Sequence, residues 1–182
     1  MAKPYYPNTL WDEIVPGLYQ GGTDDFDVIG AYLHMDTSEL SARAKWDIGV
    51  SGLVTKSDFD TVATLYVRAN APGSKVKELR YAFLDGDMSD VDPERDLHFM
   101  VREAHADWKA GKRVLIRCQA GMNRSGLVTA LVLIRDGYTA AEAIKLIRRK
   151  RCEGAITNDY FEDYLLNKAN PEFWRAGVEG SN

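Results

Sequence analysis

The chain has 182 residues, 45% of them hydrophobic and 27% charged, with a formal net charge of −4 at pH 7. That size and composition suit one globular domain, and the mild acidity excludes a general attraction to nucleic acid or to an anionic membrane. No apolar run reaches membrane-span length, MAKPYYPNTLWDE lacks the apolar centre of a secretion signal, and the two cysteines, Cys118 and Cys152, exclude a disulfide framework, so a reducing, cytoplasmic setting is expected.

After a polar, proline-bearing start, Leu18 to Gln20 predicts a short strand, with Asp27 to Leu33 as its neighbour. Trp46 to Thr55 mixes glycine with apolar residues and follows no single period, so it is read as an insertion or lid, within an insertion set at residues 24–57. Thr61 to Val67, Leu79 to Leu84 and Val114 to Arg117 predict strands of one sheet. Asp90, Asp92 and Pro93 suit a helix start. Beyond them Leu97, Met100, Val101, Ala104 and Trp108 recur at helical spacing, until Gly111. Leu127, Val128, Leu131, Val132 and Ile134 predict a buried helix that Gly137 ends, and Thr139 with Glu142 makes a capping-box pattern ahead of Ala143, Ile144 and Ile147. A last helix is predicted from Asn158 to Lys168, with Phe161, Tyr164 and Leu165 facing inward. Strands followed by long helices imply an α/β fold: a single central mixed, largely parallel sheet flanked by helices on both faces, with ligands at the carboxyl ends of its strands.

The chemistry concentrates in KRVLIRCQAGMNRSG, where an apolar run ends at Cys118, Arg124 follows six positions later, and a helix begins at once. A strand, a tight loop and a helix start bring the sulfur and the guanidinium to one anion site. In such a loop the amides of Gln119, Ala120, Gly121, Met122 and Asn123 can turn inward and, with the positive end of the helix, bind a tetrahedral oxyanion. Gly121 suits a close approach or a positive φ, and Arg124 suits two parallel bonds to phosphate oxygens. The same field favours a thiolate at Cys118, ready to attack phosphorus, and Ser125 is placed to hydrogen-bond that sulfur and help it leave. Asn123 is expected to bond within the loop and Met122 to line its entrance.

CQAGMNRSG resembles the signature loop of cysteine-dependent protein tyrosine phosphatases, particularly the compact dual-specificity type. EIVPGLYQGG, from Glu13 to Gly22, is similar to the opening strand of those domains, and Phe59 to Val67 to the next core strand. RYAFLDGD is similar to the strand and loop that carry the family's general acid, and EAIKLIRRKR with AITNDYFEDYLL to its last two helices. The resemblance spans most of residues 13–166 and sets a catalytic domain at 13–170, between an N-terminal extension (1–12) and a C-terminal tail (171–182). It implies a protein tyrosine phosphatase-like fold and phosphate-ester hydrolysis through a cysteinyl-phosphate, with no metal or other cofactor.

General acid catalysis contributes ~10²–10⁴-fold to such a reaction, and two aspartates are candidates. Asp85 matches the Asp-Gly arrangement of several branches of the family, and Asp87 matches the spacing to the cysteine in others. Arg117 departs from the family, which usually places a histidine there to order the loop and tune the thiolate; an arginine either favours the thiolate or points away. Asn158 is similar in position to an asparagine that braces the signature loop, and by itself reads equally as a helix N-cap.

The expected activity is hydrolysis of phosphotyrosine on proteins, with phosphoserine and phosphothreonine as further candidates. The alternatives are a phosphoinositide or other non-protein phosphatase, or a catalytically weak phosphate-binding module. The expected partner is a phosphorylated protein or peptide, not nucleic acid or membrane, and phosphate, sulfate or vanadate should bind the loop. Arg148, Arg149, Lys150 and Arg151 read as a solvated helix end favoured by the dipole, or as a patch that steers phosphorylated substrates. His98 and His105 lack ligand-spaced partners for a metal. Cys152 reads as a packing residue, with a protective disulfide to an oxidised Cys118 as the alternative.

Overall fold

The computed structural model describes residues 3–23, 54 and 57–177. Its strands are β1 (Trp11–Val15), β2 (Leu18–Gly21), β3 (Thr61–Thr64), β4 (Lys77–Arg80) and β5 (Val114–Arg117), in the spatial order β1-β2-β5-β3-β4. The first two form an antiparallel hairpin turned at Gly17, whose φ of +84° suits glycine. All other pairings are parallel. β5 is buried at all four positions, which accounts for its uninterrupted apolar run: a central parallel strand is covered on both faces. Asp27 to Leu33 and nearly all of the candidate lid lie outside the described residues.

Register places the chemistry. Arg117 pairs with Gly21 on one side and Thr64 on the other, and Thr64 pairs with Arg80. Four parallel strands therefore end level, and the segments leaving them form one rim. That is why two predicted strands are shorter than expected. Leu65 to Val67 and Tyr81 to Leu84 lie beyond the level end, where no neighbouring strand continues, so they become loops.

The helices are α1 (His98–Lys109), entered through a π-helical turn (Pro93–Leu97), α2 (Arg124–Arg135), α3 (Ala140–Lys150), α4 (Asp159–Asp163), which runs on as a π-helical turn (Tyr164–Lys168), and α5 (Pro171–Arg175). Of the two cap candidates, Asp92 accepts from the Arg95 amide at 3.0 Å; Asp90 instead accepts from the Leu84 amide at 2.7 Å and closes the preceding loop. Thr139 and Glu142 form the full reciprocal capping box of α3. Strand alternation sorts the core. Leu18, Ala63, Val114 and Ile116 pack with the helices. Tyr19, Val62 and Leu115 face the other way, against Val54, Phe59 and Val76.

Packing extends past residues 13–170 at both ends. Trp11 and Asp12, assigned to the extension, belong to β1, and the carbonyls of Pro4 and Tyr5 accept from the amides of Glu153 and Gly154. Residues 171–175, assigned to the tail, form α5, capped by Asn170 with Pro171 in its first turn. Trp174 there is fully buried, and Arg135 donates to its carbonyl at 2.7 Å. Five residues are too few to show a helical period in the sequence.

Candidate active site

Cys118 follows the last residue of β5, and its amide donates to Gly21 O at 3.2 Å. Alternation turns Ile116 and Cys118 toward the helices and Arg117 to the opposite face. There Arg117 Nε donates to Thr64 Oγ1 at 3.1 Å, and its Nη2 donates to Asn70 O and lies 3.9 Å from Glu78. The arginine thus points away from the loop and ties β5 to β3 and the segment beyond it. Cys118 is 2% exposed, with its sulfur 3.3 Å from Ser125 Oγ.

The loop after Cys118 is held by its carbonyls. Gln119 O accepts from the Thr23 amide at 3.0 Å and Ala120 O from Arg151 Nη2 at 3.3 Å. Gly121 O accepts from Arg151 Nε at 3.0 Å and Gln20 Nε2 at 3.1 Å, and Met122 O from Gln20 Nε2 at 3.4 Å. A trans peptide sets each N–H antiparallel to the preceding C=O. Four carbonyls drawn outward therefore turn the amides of Ala120, Gly121, Met122 and Asn123 to the opposite side. Among the described residues the amides of Gln119 to Asn123 donate to no backbone carbonyl. Gly121 has no alternative: its φ is +71°, and a Cβ would lie 2.4 Å from Gly21 C and 2.6 Å from Arg151 Nη2. Met122 does not line the entrance; its side chain is buried in the main core cluster.

Arg124 opens α2, so it sits at the positive end of the helix. Its Nη1 donates to Phe83 O at 3.1 Å, and its guanidinium carbon lies 5.3 Å from the Tyr66 ring centre. Its Nε is buried with no partner among the described residues. A buried donor of that kind calls for an acceptor, and beside inward-turned amides the fitting acceptor is a tetrahedral oxyanion.

The two candidate acids separate. Asp85 Oδ2 accepts from Asn123 Nδ2 at 3.1 Å and Oδ1 from Asn158 Nδ2 at 2.7 Å, which ties it to the residue before Arg124. Asp87 is turned to the Ser89 amide at 3.0 Å, and hydrogen bonds from Ser89 hold its carboxyl below the usual range. Asn158 is the N-cap of α4, its Oδ1 accepting from the amides of Tyr160 and Phe161, and its Nδ2 donates to Asp85 Oδ1 and Gly86 O on the acid-bearing loop rather than to the signature loop.

The basic run divides by role. Arg151 is buried behind the loop, and Arg148 donates to Ala155 O and Ile156 O, while Arg149 and Lys150 remain exposed. Gln20 and Arg151 are the supports that sequence reasoning missed; the available signal was a polar residue between Tyr19 and Gly21 in a core strand. Cys152 is buried in the core, where desolvation pushes its thiol up to about 11. His98 packs on Phe173 and Trp174, and His105 Nε2 lies 3.0 Å from Asp136.

Residues 53–170, well over half of the chain, match the family model described as dual specificity phosphatase, catalytic domain. The chain belongs to the dual specificity phosphatases. It is a phosphatase of the wider cysteine-dependent tyrosine phosphatase superfamily. Human DUSP28 is similar in fold, with a TM-score of 0.60 at 21% identity, covering 90% of this chain and 94% of that one. A mouse dual specificity phosphatase complexed with zinc tungstate gives 0.61 at 20%, covering 86% and 84%. PTPMT1 in complex with PI(5)P gives 0.58 at 19%, covering 92% and 96%. No curated protein matches the phosphatase by sequence.

Proposed function

We propose that the phosphatase hydrolyses phosphotyrosine on proteins, with Cys118 as nucleophile, Arg124 and the loop amides as the phosphate cradle, and Asp85 as general acid. The observation that carries the substrate class is the neutrality of the loop: Gln119, Ala120, Gly121, Met122 and Asn123 bring no cation. A phosphoinositide headgroup with a second phosphate needs further positive charge, and the loop supplies only Arg124. Among the described residues Val67, Leu84 and Tyr160 are exposed large side chains that follow or precede site residues closely in the chain, near Tyr66, Asp85 and Asn158, and they suit an aryl leaving group in a peptide. Because PTPMT1 is seen with PI(5)P, a phosphoinositide is the second reading to be measured. A reducing compartment such as the cytoplasm suits the Cys118 thiol.

In the first step a lone pair on the Cys118 sulfur forms the S–P bond as the P–O bond to the leaving group breaks, and protonated Asp85 gives that oxygen its proton. Arg124 Nε and the amides stabilise the equatorial oxygens. In the second step Asp85 takes a proton from water as the water oxygen bonds phosphorus, and the S–P electron pair returns to sulfur. The Ser125 hydroxyl, 3.3 Å away, then donates to the departing thiolate.

The test is turnover of an aryl phosphate, a phosphotyrosyl peptide, a phosphoseryl peptide and phosphoinositide vesicles, with EDTA present. Cys118→Ser is expected to abolish turnover, Asp85→Asn to lower it by ~10²–10⁴-fold, and Asp87→Asn to change it by less than about threefold. Wild-type inactivity from pH 5 to 8 would sink the enzyme mechanism. A higher kcat/KM on vesicles than on the phosphotyrosyl peptide would reverse the substrate assignment.

A further inference from the structure

Asn123 occupies the N-cap position of α2, a place where asparagine normally bonds the first helical amides. Here its side chain makes no cap hydrogen bond. It is committed at both ends elsewhere. Its Oδ1 accepts from the Thr157 amide at 2.8 Å, the Asn158 amide at 3.1 Å and Thr157 Oγ1 at 3.4 Å, and its Nδ2 donates to Asp85 Oδ2 at 3.1 Å. Asn158 repeats the arrangement: Oδ1 is held by the amides of Tyr160 and Phe161, and Nδ2 donates to Asp85 Oδ1 at 2.7 Å and Gly86 O at 3.0 Å. Backbone donors fix the oxygen end of each carboxamide, so only the NH2 ends can face the carboxylate.

We propose that Asn123 is a positioning residue for the general acid, clasping the Asp85 carboxylate jointly with Asn158 and so referring the acid to the same loop that holds phosphorus. This rests on Asp85 being the acid. Other bonds hold the ends of the loop that carries it, Arg124 Nη1 at Phe83 O and the Asp92 amide at the Tyr81 hydroxyl, but among the described residues the carboxylate itself is held by the two asparagines. Leu84, Asp85 and Asp87 are exposed, and the Leu84 amide to Asp90 bond closes the loop on itself without joining it to the phosphate cradle. The cradle reaches the segment before the loop through Arg124 Nη1 and Phe83 O, and Asn123 carries that tie two residues further, to the Asp85 carboxylate itself. A carboxylate offers about four acceptor sites. The clasp uses one on each oxygen, so a proton can occupy a remaining site while both amide bonds persist. Misplacing a catalytic group by ~1 Å costs ~10²-fold, which is the scale at stake when one half of the clasp is removed.

The measurement is the dependence of kcat on leaving group, because a poor leaving group needs the acid and a good one does not. Phenyl phosphate and 2,4-dinitrophenyl phosphate are compared for wild type, Asp85→Asn, Asn123→Ala and Asn123→Asp, with folding checked by thermal denaturation. Asn123→Asp keeps the acceptor for Thr157 and Asn158 but removes the donor to Asp85, so it separates acid positioning from loop support and serves if the alanine variant is unstable. Both variants are expected to lower turnover of phenyl phosphate at least ~10-fold more than that of the dinitrophenyl ester, in the manner of Asp85→Asn. In the Asp85→Asn background the Asn123→Ala effect on this ratio should vanish. Equal losses on both esters, or no loss on either, would overturn the proposal while leaving Asp85 as the acid. A ratio unmoved by Asp85→Asn would remove the acid assignment itself, and the clasp proposal with it.

Discussion

Arg151 is 1% exposed and donates to five acceptors: Ala120 O, Gly121 O, Thr9 O, Thr9 Oγ1 and Asp12 Oδ2. Replacing it with methionine keeps much of the volume and removes every donor. The half-buried Asp12 carboxylate then keeps Lys3 and Thr9 but loses its 2.8 Å bond to the guanidinium, and the two loop carbonyls lose a buried partner. Breaking a buried pair from one side costs ~3–5 kcal/mol, which for a domain of this size lowers the melting temperature by roughly 6–20 °C. Activity should fall further than stability explains, because Ala120 O loses its Arg151 donor and Gly121 O is left with Gln20 Nε2 alone, so the peptide planes that follow are held less firmly. Losing one preorganised oxyanion donor costs ~10²–10³-fold in kcat. Arg151→Lys restores charge but not the fork that reaches the loop and Asp12 together, so it should recover more stability than activity. The assay is thermal denaturation with aryl phosphate turnover measured well below each melting point. A melting temperature within about 2 °C of wild type, less than one kcal/mol by the same scaling, together with unchanged kcat, would refute the brace.

What the sequence disclosed tracks how local each cause is. The strand Val114–Arg117, the start of α2 and the capping box of α3 were legible because period, cap and burial act within one segment. Cys118, Arg124, Ser125 and the need for glycine at 121 follow from that same segment. The orientation of Arg117 was also legible in principle, since strand alternation alone opposes it to Cys118. Gln20 and Arg151 were not. Each serves the loop from more than a hundred, or about thirty, positions away, and its role exists only once β2 and α3 are packed. The choice between Asp85 and Asp87 has the same character: two carboxylates in one short loop differ only by which one meets Asn123 and Asn158. The level strand ends that shorten β3 and β4 are likewise a property of the sheet.

Gly121→Ala must place a Cβ 2.4 Å from the Gly21 backbone at a positive φ, so the loop has to move, and turnover should fall by at least ~10²-fold as the donors lose alignment; retention of wild-type kcat/KM would contradict the packing. Trp174→Ala removes a fully buried ring from α5 and should cost ~3–5 kcal/mol by denaturant unfolding; a loss below about 1 kcal/mol would return residues 171–175 to the status of a tail. The pH prediction concerns His98 and His105. Burial lowers both below the usual imidazole value, helped at His98 by Arg135 and Arg102; at His105 the Asp136 bond opposes burial without overcoming it. A lowered folded value means that the unfolded chain binds protons first. Their contribution is therefore fully present above the unfolded value near ~6.5 and is lost as pH falls through the folded values. Asp12 titrates in a separate window: burial raises its carboxyl, but hydrogen bonds from Lys3, Thr9 and Arg151 outweigh that and lower it, so its contribution is lost only below ~4. Between pH 7 and 5 the histidines should dominate the slope of melting temperature against pH, and His98→Phe with His105→Gln should flatten it. An equal slope in the double variant would show that both imidazoles titrate alike in the folded and unfolded chain.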